Sequence, residues 1–124
     1  MNCIAWHKNM RNLLLIVIAI CFSATLIAQT ANPKLKITPL TSDFYVFTTY
    51  HIFKGVPVSS NGLYVITKAG VVLIDTPWDS TQFQPLLDSI EHKQNKKVIM
   101  CVATHSHEDR TAGLEYFKQQ GIKT

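Results

Sequence analysis

From residue 35 to residue 76 one alternating segment is followed by runs rich in aromatic and β-branched residues; beyond that point helical spacings take turns with one apolar run. Leu35-Lys36-Ile37-Thr38-Pro39-Leu40 alternates as a half-buried strand does, and Pro39, with no amide to donate, makes it an edge strand or a strand end. Thr41-Ser42-Asp43 reads as a turn into Phe44-Tyr45-Val46-Phe47-Thr48-Thr49-Tyr50, whose aromatic and β-branched side chains favour strand. A loop is expected from His51 to Pro57. Two further strands, Gly62 to Thr67 and Val71 to Thr76, are joined by Lys68-Ala69-Gly70, so residues 35–76 read as an antiparallel meander.

Helical spacing follows. Phe83, Leu86, Leu87 and Ile90 lie at i, i+3, i+4 and i+7 and give one apolar face, with Asp79, Ser80 and Thr81 as candidate caps and Pro85 acceptable only in the first turn. Val98-Ile99-Met100-Cys101-Val102-Ala103 reads as a buried strand, and Arg110 to Gln120 as a second helix stopped by Gly121. Ile122-Lys123-Thr124 resembles the opening of another strand. A meander followed by strand, helix, strand, helix predicts an α/β layered domain.

Composition changes the reading at the N-terminus. Lys8 and Arg11 precede the apolar run Leu13 to Ile20, and Leu26-Ile27-Ala28 suits cleavage before Gln29, so residues 1–28 read as a signal peptide and 29–124 as the mature domain, exported to the periplasm. Ser23 and Thr25 interrupt the apolar stretch, which falls short of the roughly 20 residues of a membrane span; a lipoprotein cut before Cys21 is disfavoured by Ile20. Without the leader the net charge falls from +4 to +2, ten basic residues against eight acidic. No basic run with interleaved aromatics is left, which argues against nucleic acid as a partner, and no stable membrane association is expected after cleavage. Cys3 and Cys21 leave with the leader, so Cys101 has no internal disulfide partner and reads as a small inert hydrophobe.

The chemistry is concentrated in Thr104-His105-Ser106-His107-Glu108-Asp109-Arg110, directly after the apolar run. Two histidines two residues apart and an aspartate two further on can converge in an extended or tightly turning loop, while Ser106 and Glu108 point elsewhere. Imidazole nitrogen and carboxylate oxygen are the donor mix that suits zinc, and a catalytic zinc takes three protein ligands with one position open. His105, His107 and Asp109 are therefore the candidate metal ligands. Asp75, at the end of Val71-Val72-Leu73-Ile74, is expected to orient the ligand loop through hydrogen bonds. His51, Phe53 and Trp78 read equally as packing aromatics near a turn, and His92 as a solvated surface residue. Gly-x-Ser-x-Gly, phosphate-binding and Cys-x-x-Cys signatures are absent.

This motif, together with Gly70-Val71-Val72-Leu73-Ile74-Asp75-Thr76-Pro77-Trp78 and Ser60-Asn61-Gly62, resembles the metallo-β-lactamases. Their wider superfamily carries His-x-His-x-Asp-His; Arg110 replaces the last histidine, as in the di-zinc first subclass, and the likeness is nearest to enzymes of flavobacterial type. The resemblance implies an αββα sandwich of which this chain supplies the N-terminal half. It also implies two zinc ions per complete enzyme, His105 and His107 on the first and Asp109, in a catalytic role, on the second. Arg110 and Asp75 would support the ligands, and Phe53 and Trp78 would line a substrate flap. The implied activity is opening of the β-lactam ring of penicillins, cephalosporins and carbapenems by activated water, without a covalent acyl-enzyme. The implied protein is a monomer that confers resistance and is active only at full length, this chain being an inactive fragment. A lactonase or thioesterase of the same superfamily and a non-catalytic exported zinc-binding module are the alternatives.

Overall fold

Alternating apolar side chains give a strand a buried and an open face, and here they build one five-stranded sheet in the order β1-β2-β3-β4-β5. The structure is a computed structural model and describes residues 35–124; the residues read as a leader lie outside that range. The strands are β1 (Lys36–Pro39), β2 (Phe44–Phe53), β3 (Val56–Ile66), β4 (Val71–Ile74) and β5 (Val98–Val102). The first four pair antiparallel, as the meander requires, and β5 joins β4 in parallel through a helical crossover. The helices are α1 (Phe83–Gln94), preceded by a 3-10 turn over Ser80–Gln82, then α2 (Glu108–Thr111) and α3 (Leu114–Gln119).

One face of the sheet carries the core. Phe47, Tyr64, Val71, Leu73 and Cys101 pack there against Phe83, Leu86 and Ile90 of α1, Phe117 of α3 and Ile122. Full burial of Leu86 and Ile90 contributes about 1.5–3 kcal/mol each. Gly62 lies opposite Phe47 in the β2–β3 register, and a Cβ at that position would overlap the Phe47 ring. Gly62→Ala is accordingly expected to lower stability by about 1–3 kcal/mol, read as a lower denaturant midpoint at unchanged slope; an unshifted midpoint would show that the ring has room to move. The opposite face, with Leu63, Val65, Val72, Ile74 and Met100 half-buried and Phe44 and Val102 exposed, is apolar and partly open to solvent.

Three local expectations are corrected. The segment His51 to Pro57 is not a loop: β2 and β3 continue through it and close on Lys54 and Gly55, both at positive φ (50° and 79°), as a two-residue type I′ hairpin turn demands. The single helix over Arg110 to Gln120 is two short helices, starting at Glu108 and broken around Gly113, which packs closely on Thr76, Phe83 and Phe117. The run after Lys97 is less buried than its composition suggests, with Cys101 enclosed but Ile99 and Val102 exposed.

Other expectations hold. Asp79 caps the 3-10 turn by accepting from the Thr81 amide, and Pro85 falls in the first turn of α1. Gly121, at φ 79°, ends α3 with its amide on the Lys118 carbonyl and the Ile122 amide on the Phe117 carbonyl, which seats Ile122 against the core. The closing residues pair with β5 through a parallel bridge between Met100 and Lys123.

Candidate metal centre

Strand β5 ends at Val102, and the chain enters α2 through a short loop that carries both histidines. His107 occupies the N-cap position in extended conformation, and its carbonyl accepts the Arg110 amide (2.9 Å) and the Thr111 amide (3.1 Å). These bonds turn the backbone so that Asp109, in the first helical turn, faces back toward the histidines. One donor atom from each of His105, His107 and Asp109 lies within 4.8 Å of the others, and the two imidazoles meet edge to face at 4.6 Å. Tetrahedral zinc with bonds near 2.0–2.1 Å separates its ligand atoms by about 3.4 Å, so small side-chain adjustments bring this set onto an ion. Two imidazoles and a carboxylate fit zinc by type, and both histidines are exposed to incoming solvent.

Asp75 is where the sequence places a supporting carboxylate. It is buried, 6% exposed, and its backbone stands at φ 69°, a left-handed conformation that few non-glycine residues adopt. Its Oδ1 accepts from the Thr104 amide at 2.7 Å and from the Thr104 hydroxyl at 2.8 Å. The same hydroxyl oxygen lies 3.1 Å from His105 Nδ1. A threonine hydroxyl has one proton; donated to Asp75 Oδ1, it leaves the Thr104 oxygen as an acceptor, so a hydrogen bond to His105 calls for the Nδ1–H tautomer, whose Nε2 carries the lone pair. Asp75 thus acts on His105 through Thr104. Sequence reasoning assigned Thr104 no role, and its position next to the first histidine was the available signal.

Arg110 ties the loop to the meander. Its guanidinium donates to the Asn61 carbonyl, lies 3.6 Å from Asp75 Oδ2, and places Nε 3.3 Å from Asp109 Oδ2. The buried hydroxyl of Ser60 donates to the Asp109 carbonyl at 3.2 Å. Ser60 and Asn61 therefore hold the backbone and the neighbour of the third candidate ligand.

Phe53 and Trp78 come together at the side of the hairpin, ring centroids 6.1 Å apart, with His51 stacked on Trp78 at 4.5 Å. Cys101 is buried behind the loop, and burial, with the Asp75 charge second, pushes its thiol up to about 12, so it stays protonated and inert. His92 is exposed on α1.

Residues 55–124 match the Metallo-beta-lactamase superfamily. The chain is 48% identical over 93 residues to a metallo-beta-lactamase type 2 of Elizabethkingia meningoseptica, a match that covers 75% of this chain and 37% of that protein. It is 42% identical over 86 residues to metallo-beta-lactamase IND-1 of Chryseobacterium indologenes, covering 69% and 36%. Among solved structures, metallo-beta-lactamase IND-7 superposes with a TM-score of 0.70 at 40% identity, over 73% of this chain and 42% of that one. The chain thus spans less than two fifths of the length of these two relatives. The likeness to enzymes of flavobacterial type read from the motif is borne out.

Proposed function

This chain belongs to the metallo-beta-lactamase superfamily, and from that premise we propose that the protein is a zinc-dependent hydrolase that opens the β-lactam ring of penicillins, cephalosporins and carbapenems and so confers resistance. The observation that carries the reading is the convergence of His105, His107 and Asp109 within 4.8 Å at the end of a sheet strand, with Arg110 rather than histidine next in sequence. Three protein donors meet the count of one catalytic zinc; a two-ion division, with both histidines on one ion and Asp109 on the other, takes donors beyond these three.

Zinc held there would supply Lewis acidity, lowering the pKa of a water to about 7 and so making a nucleophile available at neutral pH. The chain's own residues do the rest. His105 and His107 offer imidazole nitrogen, and the Asp75–Thr104 pair favours the His105 tautomer that turns its Nε2 lone pair outward. Asp109 offers the carboxylate, steadied by Arg110 on one side and by Ser60 through its backbone. Phe53 and Trp78 present apolar surface suited to covering the non-reacting part of a substrate.

Purified full-length protein is expected to turn over a chromogenic β-lactam, to lose that activity to a chelator and to regain it with zinc. Asp109→Asn should weaken one metal selectively, because an amide oxygen is a poorer ligand than a carboxylate; two tightly held zinc ions per mutant chain after dialysis would count against Asp109 as a ligand. A lactonase or thioesterase would instead spare β-lactams and cleave its own ester.

Export belongs to the same reading. Residues 1–28 have the basic start and apolar middle of a signal peptide and end on Ala28, so the mature protein is expected in the periplasm, as a monomer, with its N-terminus at or near Gln29. N-terminal sequencing of the periplasmic fraction checks this. Met1 retained would point to an anchor, and lipid on Cys21 to a lipoprotein.

A further inference from the structure

Strand β1 accompanies β2 only as far as the Lys36–Thr48 pair, and β4 accompanies β3 only from Leu63 onward. Past those points, among the described residues, β2 and β3 pair only with each other and form a two-stranded arm with exposed apolar side chains, Ile52, Phe53, Val56 and Val58, at its tip. A two-stranded ribbon is marginal in water by itself. Something has to hold its root.

We propose that Gln82 is a positioning residue for this arm and that Trp78 to Gln82 is the strut on which the arm rests. The Gln82 carboxamide accepts the Tyr50 amide at 3.1 Å and donates a short bond back to the Tyr50 carbonyl. It therefore satisfies both edge groups of one residue, as a neighbouring strand would, just beyond the place where β1 ends. Only asparagine and glutamine carry a donor and an acceptor with peptide-like spacing, and asparagine is one methylene shorter. Gln82 is 9% exposed and 32 residues from Tyr50, so the clamp is a tertiary contact and no local turn accounts for it.

Two further contacts come from the same segment. The His51 ring stacks on Trp78 and sets Nδ1 3.6 Å from Asp79 Oδ2. Asp79 is itself fixed, since its Oδ1 accepts from the Thr81 amide (2.9 Å) and hydroxyl (2.6 Å). Phe53 reaches Trp78 from the tip side. The strut thus sets where the apolar tip stands while touching none of the three candidate ligands through a hydrogen bond. That arrangement assigns it to substrate binding more than to the chemical step. The consequence for turnover rests on the β-lactamase reading; the mechanical role does not.

The test uses the full-length protein and the variants Gln82→Ala and Gln82→Glu, with amide exchange and β-lactam kinetics measured side by side. In Gln82→Ala the Tyr50 amide and the arm are expected to exchange at least about tenfold faster while β4 amides keep their protection, as for a local opening. KM should rise several-fold and kcat change less than about twofold, the signature of lost positioning. Glutamate, of the same size, sets a second acceptor oxygen against the Tyr50 carbonyl where the donor stood, so Gln82→Glu should free the arm as well, and it carries the test if the alanine variant fails to fold. Unchanged Tyr50 protection would overturn the proposal, as would faster exchange spread evenly through β4 or a freed arm with KM unmoved. If the wild-type protein cleaves no β-lactam, exchange alone decides the strut, and the failure belongs to the catalytic reading.

Discussion

His107→Ala in the full-length protein is expected to lower hydrolysis of a chromogenic cephalosporin by two orders of magnitude or more and to lower retained zinc with it. The substitution removes one of three donors that lie within 4.8 Å of one another and one of the two imidazoles assigned to the first zinc, which falls below the three protein ligands of a catalytic site. The fold should survive. His107 is exposed, and what it contributes to the loop is its carbonyl, which accepts from Arg110 and Thr111 and which alanine keeps. Stability is therefore expected within about 0.5 kcal/mol of wild type, the range of ordinary surface substitutions. Wild-type turnover with a full complement of zinc would remove His107 from the ligand set; loss of activity together with a collapsed melting transition would mean that the side chain had been structural.

The second large effect concerns Asp75. In Asp75→Ala the Thr104 amide and hydroxyl lose their acceptor, Arg110 loses a carboxylate 3.6 Å away, and alanine inherits a backbone at φ 69°. Bonds to a buried charged acceptor and the stranded donor together put the cost at about 2–4 kcal/mol. Asparagine tolerates the left-handed backbone and can keep both bonds to Thr104, so Asp75→Asn isolates the charge facing Arg110 and should cost about half as much. The two variants should also part in metal affinity. Alanine breaks the link from Asp75 through Thr104 to His105, for which a loss of about 10–100-fold is expected, whereas asparagine retains the link. Denaturant midpoints and zinc titrations measure both. Equal behaviour of the two variants would show that the hydroxyl relay has no part in holding His105.

Much of this is legible in the sequence. The ligand triplet stood out because spacing and residue type agreed, and Asp75 because it ended an apolar strand. The meander is carried by alternation in residues 35–40, by the aromatic and β-branched content of the next strands and by the turn residues between them. The hairpin arm was not visible, because Lys54-Gly55 and Pro57 read as loop chemistry: a type I′ turn is announced by asparagine or aspartate at its first central position, and here lysine takes that place at φ 50°. Pro57 is tolerated in β3 because, among the described residues, no strand pairs with β3 on its other side there. Gln82 and Thr104 were silent for another reason. Their work is done across 32 and 29 residues of chain, and polar side chains next to a helix start or at a strand end look the same whether or not such a partner exists.

That long reach has a consequence for how the chain folds. The β2–β3 ribbon closes through a two-residue turn and can form early, but the candidate metal site is sewn together by contacts spanning 29 residues from Asp75 to Thr104 and 49 from Ser60 and Asn61 to Asp109 and Arg110. Closing such loops costs entropy that only the finished sheet and crossover helix offset. The ligand loop is therefore among the last parts to be assembled on the way to the native state, and an ion bound there favours only molecules that have completed the journey.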